Sequence, residues 1–353
     1  LKGRTVMSNN YYVDRNLSTI NKLDDVLSEL PEFCAEYFIG IEAKTSPLTR
    51  LNYAYDLRVF FNYIVKRKFF CKPTELTIDS LDKITQHDFE KYISYLSAYV
   101  IDGKVHTCSD VAKARKLSSL RAMYKYFFNH GKIVANTPEK VDMPKIHQKE
   151  IIRLDVNEVA LMLDKAENGD GLTEHQKCYN NATKTRDVAL LTLFLGTGIR
   201  ISELVGLNVT DINFENNSFV VTRKGGSRSI LYFTEETADA LADWIDLRST
   251  LPIDKNENAL FISLQNKRMS TRAIQELVKK YAKIVTPLKH ITPHKLRSTF
   301  GTNLYQSTGD IYAVADFLGH KDINTTRKHY AAINENSRRE IVKSVKLRED
   351  EDQ

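Results

Sequence analysis

His294, Arg297, His320 and Tyr330 follow one another in the last third of the chain, and Arg200 precedes them in the run Gly196-Thr197-Gly198-Ile199-Arg200-Ile201-Ser202-Glu203. Two arginines, two histidines and a tyrosine suit one chemistry. Arginines grip an anionic phosphate through a fork of donors, histidines move protons, and a tyrosine hydroxyl attacks phosphorus. None of these is a hard-cation ligand in the way paired carboxylates are, so the set points to phosphoryl transfer on DNA without a metal.

Each element taken singly has a plainer reading. H-x-x-R puts His294 and Arg297 on one face of a helix start behind Thr292-Pro293, beside amides that favour an anion, but the pattern is common by chance. Arg200 and Glu203 read equally as a helix-start ion pair or as a phosphate clamp steadied by a carboxylate. Lys224, before Gly225-Gly226, is a solvated turn lysine or a proton donor at a hairpin tip. Tyr330 is one of 17 tyrosines, set beside Arg327-Lys328-His329.

The elements that must position these residues divide the chain in two. With 353 residues there is length for about two domains. Hydrophobic content of 42% and charged content of 27% are those of an ordinary globular protein, and no apolar run is long enough for a membrane helix. Leu1–Val6 lacks the apolar core of a signal peptide, and Met7 is a candidate native start. Cys34, Cys71, Cys108 and Cys178 are scattered without a C-x-x-C pair, which argues for core cysteines in a reducing cytoplasm and against a zinc site. A net charge of +6 leans towards a polyanionic partner.

The first domain, residues 1–135, reads as helical: Thr49–Lys66, Asp88–Tyr99, and Asp110–His130 with a cap at Ser109 or Asp110 and a stop at Gly131. An earlier helix, near Leu17–Ile41, is interrupted by Pro31. Residues 136–152, with Pro138 and Pro144, form a linker. The second domain, 153–353, opens with a helix at Asp155–Ala166 and a polar loop at Glu167–Lys184. The helix Arg186–Thr197 and a short one from Ile201 come next. Phe219–Thr222 and Ser229–Phe233 flank Gly225-Gly226 as a hairpin. Helices follow at Glu235–Arg248, Thr271–Val285, His294–Gln306, Ile311–Phe317, Thr325–Ile333 and Ser337–Leu347. An acidic tail, Glu349–Asp352, ends the chain.

Lys113, Arg115, Lys116, Arg121 and Lys125 stud one basic helix and Arg50 and Arg58 another, which suits phosphate contacts. Thr49, Asn52 and Ser119 are candidates for base contact, with solvated helix surface as the alternative. Arg223, beside Lys224, joins the expected DNA contacts.

The ordered set, Arg in G-T-G-x-R-x-S-E, Lys before a hairpin glycine, H-x-L-R, L-G-H and a late tyrosine, resembles the tyrosine recombinase (lambda-integrase) family. The likeness extends to the first domain, where Ala114–Tyr124 and Leu48–Leu57 resemble the two DNA-facing helices of Xer-type members. Val221–Gly226 with Thr292–Arg297 is similar to the single-protein Xer recombinases. The resemblance implies a mainly α fold: a helical, SAM-like core-binding domain and a mixed α/β catalytic domain with a small antiparallel sheet, closing as a C-shaped clamp on DNA. It implies that Arg200 and Arg297 hold the scissile phosphate, Tyr330 attacks it, Lys224 protonates the leaving 5′ oxygen, His294 assists as base, His320 hydrogen-bonds the phosphate, and Glu203 is an acidic accessory. It further implies action on a specific duplex site, self-association to a tetramer partly through Ser337–Leu347, an accessory protein in some systems, and no external cofactor. Many members carry histidine directly after the H-x-x-R arginine; here Ser298 stands there. The alternatives are a type IB topoisomerase-like activity that relaxes DNA and a catalytically silent DNA-binding protein.

Overall fold

Most of the described helices begin where a short polar side chain accepts from one of the first unpaired backbone N–H groups. The computed structural model describes residues 11–101, 103–146, 152–223 and 226–319, and its contacts group into two units, Leu1–Lys149 and Glu150–Gln353. The described residues are mostly helical, with two small antiparallel sheets.

In the first unit the elements are α1 (Tyr11–Leu27), α2 (Phe33–Gly40), α3 (Pro47–Ile64), α4 (Gln86–Tyr95), β1 (Tyr99–Ile101), β2 (Lys104–His106) and α5 (Asp110–Asn129). Ser46, before Pro47, accepts from the Thr49 amide and opens α3. Ser109 does the same for α5 through Ala112. Thr85 and Asp88 cap each other's backbone at α4, and Asp88 also takes Lys68 Nζ at 2.5 Å. The core is aromatic: Phe60 stacks on Phe89 at 5.2 Å, Phe89 meets Tyr124 edge-on at 5.5 Å, and Leu57, Leu117, Leu120 and Phe127 close around them. Burying each such side chain contributes about 1.5–3 kcal/mol, so this cluster holds α3, α4 and α5 together.

The helix expected over Asp88–Tyr99 ends at Tyr95, and the chain turns into the hairpin β1–β2. Asp102-Gly103 between β-branched Val100-Ile101 and Val105 is a hairpin signal that the apolar spacing upstream obscured. Gly103 has φ +72 there.

The second unit contains α6 (Val156–Asn168), α7 (Glu174–Thr197), α8 (Ile201–Gly206), β3 (Ile212–Asn213), β4 (Ser218–Thr222), β5 (Arg228–Tyr232), α9 (Glu235–Ser249), α10 (Thr271–Val285), α11 (Pro293–Thr308) and α12 (Ile311–Leu318). The strands pair antiparallel in the order β3-β4-β5, with Thr222 opposite Arg228 at the turn end of the β4–β5 hairpin. α7 packs against α6, α9 and α11, and Leu190, Leu193 and Phe194 on it are buried. Much of the polar stretch expected as a loop over 167–184 is the start of α7. Thr173 and Gln176 form a capping box, and the next two turns are polar because they face solvent. The expected helix Thr325–Ile333, the C-terminal helix Ser337–Leu347 and the acidic tail lie outside the described residues. Of the cysteines expected in cores, Cys34 is buried and its thiol is pushed up by burial. Cys71 and Cys108 are half-buried, and Cys178 is exposed on the solvent face of α7.

A buried carboxylate ties α7 to α10. Asp187 takes Arg186 Nη2 at 2.7 Å, Lys280 Nζ at 2.8 Å and the Tyr281 hydroxyl at 2.9 Å. Burial, followed by the Asp187 charge, pushes the Tyr281 hydroxyl well above the phenol range, so it stays protonated and donates. Asp187→Ala leaves two cations and the Tyr281 hydroxyl without their shared carboxylate. It is expected to lower the unfolding free energy by about 3–5 kcal/mol in chemical denaturation, and a loss below about 1 kcal/mol contradicts this role.

Candidate active site

Arg200 sits where α7 hands over to α8. Gly198 caps α7 with φ +58, and the ring of Phe300 occupies the space a Cβ there would need, so both backbone and packing call for glycine. Two residues on, Arg200 is the N-cap of α8 and is joined to Glu203 twice. Its backbone N–H donates to Glu203 Oε2 at 3.1 Å and its Nη1 to Oε1 at 2.9 Å. Glu203 is 3% exposed, so its charge is satisfied inside the fold rather than by water.

Arg297 reaches the same place from α11. Pro293 fills the first position of that helix, where a missing N–H costs nothing. His294 is exposed on the first turn, and one turn later Arg297 is buried. Its Nη1 donates to the Gly198 carbonyl and its Nη2 to the Leu318 carbonyl. Arg200 Nη2 also donates to Leu318, at 3.1 Å, and to Gly319 at 2.9 Å. Two guanidinium groups therefore converge on one peptide turn at the C-terminus of α12.

That convergence has an electrostatic reason. Two like charges in contact repel, but the last carbonyls of a helix lack intrahelical partners and carry the negative end of its dipole. The α12 terminus and Glu203 together hold the two cations side by side. The result is a pair of planar donor groups suited to an oxyanion with several lone pairs, such as a phosphodiester. Arg200 keeps its side chain 34% exposed, which leaves part of that face open to solvent.

The other three residues expected in the site, Lys224, His320 and Tyr330, lie outside the described residues. In the sequence Lys224 comes directly after Arg223, and His320 directly after Gly319. Ser298 donates to the His294 carbonyl at 3.0 Å.

The first unit sorts its expected DNA contacts differently. Asn52 on α3 and Arg115 and Lys125 on α5 are exposed. Thr49 is half-buried and its hydroxyl pairs with Ser46 at 2.9 Å; Lys113, also half-buried, reaches Ser97 at 2.9 Å. Arg50 is buried and pairs with Glu42 at 2.7 Å. Lys116 and Ser119 turn inward instead: both are buried and donate to Asp56, each at 2.9 Å. Arg115 donates to the same carboxylate while remaining half-exposed. Arg121 spends its guanidinium on the carbonyls of Pro138, Glu139 and Val141. Ser119, Lys116 and Arg121 thus have their polar groups engaged within the fold. A buried acid on α3 captures the first two and the turn after α5 the third. Asp56, fully buried, was missed because an acid within an apolar helix face gives no sign of partners 59 and 60 residues away.

Residues 153–337 match the phage integrase family. The tyrosine recombinase XerC of Caldanaerobacter subterraneus subsp. tengcongensis is 31% identical over 325 residues, covering 89% of this chain and 85% of that protein. The tyrosine recombinase XerC of Vibrio cholerae serotype O1 is 28% identical over 306 residues, covering 86% and 88%. Among solved structures, the XerH site-specific recombinase bound to its palindromic difH substrate aligns with a TM-score of 0.66 at 18% identity, over 96% of this chain and 92% of that one. The Tn1549 transposon integrase in complex with circular intermediate DNA aligns at 0.62 and 21% identity, over 88% and 98%. These structural likenesses show a shared fold.

Proposed function

As this chain belongs to the phage integrase family, the tyrosine recombinases, we propose that it is a site-specific recombinase that cleaves and rejoins duplex DNA through Tyr330. What supports the reading most is the meeting of Arg200 and Arg297 at the end of α12, in the same stretch of chain that matches the family.

The Tyr330 hydroxyl attacks the scissile phosphorus. A tyrosyl O–P bond forms as the P–O5′ bond breaks, leaving a 3′-phosphotyrosyl link and a 5′ hydroxyl. His294 assists removal of the tyrosine proton, and Lys224 delivers a proton to the departing 5′ oxygen. Arg200 and Arg297 stabilise the charge that grows on the non-bridging oxygens, steadied by Glu203, and His320 adds a hydrogen bond to the phosphate. The tyrosyl ester retains the energy of the broken diester, so a partner strand's 5′ hydroxyl reverses the step without a nucleotide or a metal ion.

Specific duplex DNA is the substrate. The exposed Asn52, Arg115 and Lys125 contribute to holding it, with the lysine and arginine adding salt-dependent affinity. Four copies act together at a synapse, the segment Ser337–Leu347 reaching a neighbouring copy, in the cytoplasm where the chromosome is accessible. Chromosome dimer resolution and mobile-element integration or excision use this same chemistry.

A plasmid with two directly repeated sites, obtained by selecting genomic fragments that the protein retains, tests the reading. Deletion circles are expected. Relaxed plasmid alone overturns recombination in favour of a swivelling topoisomerase activity, and unchanged plasmid favours a silent DNA-binding protein.

A further inference from the structure

Arg223 directly precedes Lys224 and by residue type alone is a DNA contact, yet its side chain is only 12% exposed and points into the fold. Its Nη1 lies 3.5 Å from Glu203 Oε1, the carboxylate oxygen that also takes Arg200. The flat guanidinium rests on Gly319. A Cβ at that glycine would stand 2.8 Å from Nη1 and 2.9 Å from Cζ.

The backbone of Arg223 is equally committed. Its N–H donates to the Ser227 carbonyl at 2.7 Å, and its carbonyl accepts from Gly226 at 3.0 Å, closing the turn between β4 and β5. Gly226 has open space around its Cα, and Arg228, where the turn rejoins β5, is 71% exposed. Among the described residues of this turn, then, Arg223 joins it to the arginine pair. It does so at two points: Glu203, whose Oε1 also takes Arg200, and Gly319 just before His320.

We infer that Arg223 is a positioning residue for strand cleavage: it seats the lysine-bearing turn of the β4–β5 hairpin against Glu203 and the Leu318–Gly319 turn. The inference rests on the proposed role of Lys224 as the acid. A lysine ammonium rides a flexible four-carbon stem, so its reach to one oxygen depends on how firmly its backbone is held. The ion pair that holds it is largely shielded from water, where it is weakened less than a surface pair. Arginine is required rather than lysine because its planar head both meets a carboxylate and lies flat on a glycine.

The test compares cleavage of two suicide substrates at saturating DNA, one with a normal phosphodiester and one with sulfur at the 5′-bridging position, which leaves without a proton. Arg223→Ala is expected to slow normal cleavage by about 10²-fold, within the range that general-acid catalysis supplies. DNA affinity stays unchanged, and the sulfur substrate recovers most of the rate. Lys224→Ala serves as reference and is expected to show the same recovery. Arg223→Lys, which keeps a charge for Glu203 without the flat contact on Gly319, should fall between wild type and Arg223→Ala, and it carries the same comparison if Arg223→Ala does not fold. Relief of Lys224→Ala without relief of the Arg223 variants overturns the positioning role alone. No relief of either overturns Lys224 as the acid and the inference with it. Weaker DNA binding with a normal rate at saturation makes Arg223 a DNA contact and overturns the inference.

Discussion

Arg297→Ala is expected to slow single-turnover DNA cleavage by about 10³-fold at saturating DNA, the upper end of what one lost oxyanion donor costs, because the arginine presents a fork of donors rather than one. The side chain also has a structural duty, since it satisfies the Gly198 and Leu318 carbonyls, so the same change is expected to cost about 1–3 kcal/mol of stability. Arg297→Lys separates the two effects. A lysine can reach a carbonyl and retain the positive charge, so most of the stability should return, but it cannot offer the planar fork and cleavage should remain slow. Denaturation midpoints and cleavage rates measured on the same preparations check this. Cleavage by Arg297→Ala within about fivefold of wild type at saturating DNA removes Arg297 from the phosphate site, since a genuine donor costs far more.

Much of the scaffold in both units was legible because it follows from local chemistry. Ser109 before a long apolar-periodic run announces α5, Thr292-Pro293 announces α11, and the β-branched runs around Gly225-Gly226 announce the β4–β5 hairpin. These signals are short-range, so a linear reading finds them. β3, two residues long, is too short to show a period. The first turns of α7 were hidden for a different reason: their polar residues belong to an exposed helix face, and polarity alone mimics a loop.

Direction was harder to read than type. Lys116, Ser119, Arg121 and Arg223 have the chemistry of DNA contacts, and each is turned inward by a partner distant in sequence. For Lys116 and Ser119 the cause is Asp56, 60 and 63 residues away, which only the packing of α3 on α5 brings within reach. Arg200 and Arg297 were recognisable as candidates from their motifs. That both would close on the Leu318 carbonyl was not, since nothing in G-T-G-x-R or H-x-x-R points to the end of α12.

Tyr330→Phe is expected to have the largest effect on activity. It removes one oxygen atom, and that atom is the nucleophile, so no neighbouring donor compensates and covalent capture falls to background. DNA binding should persist, because the hydroxyl contributes little beside the many phosphate contacts that set affinity. The direct measurement is to trap the protein on a suicide duplex nicked so that the cleaved strand cannot be rejoined, digest the adduct with protease, and identify by mass spectrometry the peptide left on the DNA and the strand end that carries it. The expected result is a phosphotyrosyl bond from Tyr330 to the 3′ phosphate, a free 5′ hydroxyl, and no adduct from Tyr330→Phe. An adduct through another residue, attachment at the 5′ end, or undiminished capture by Tyr330→Phe contradicts it.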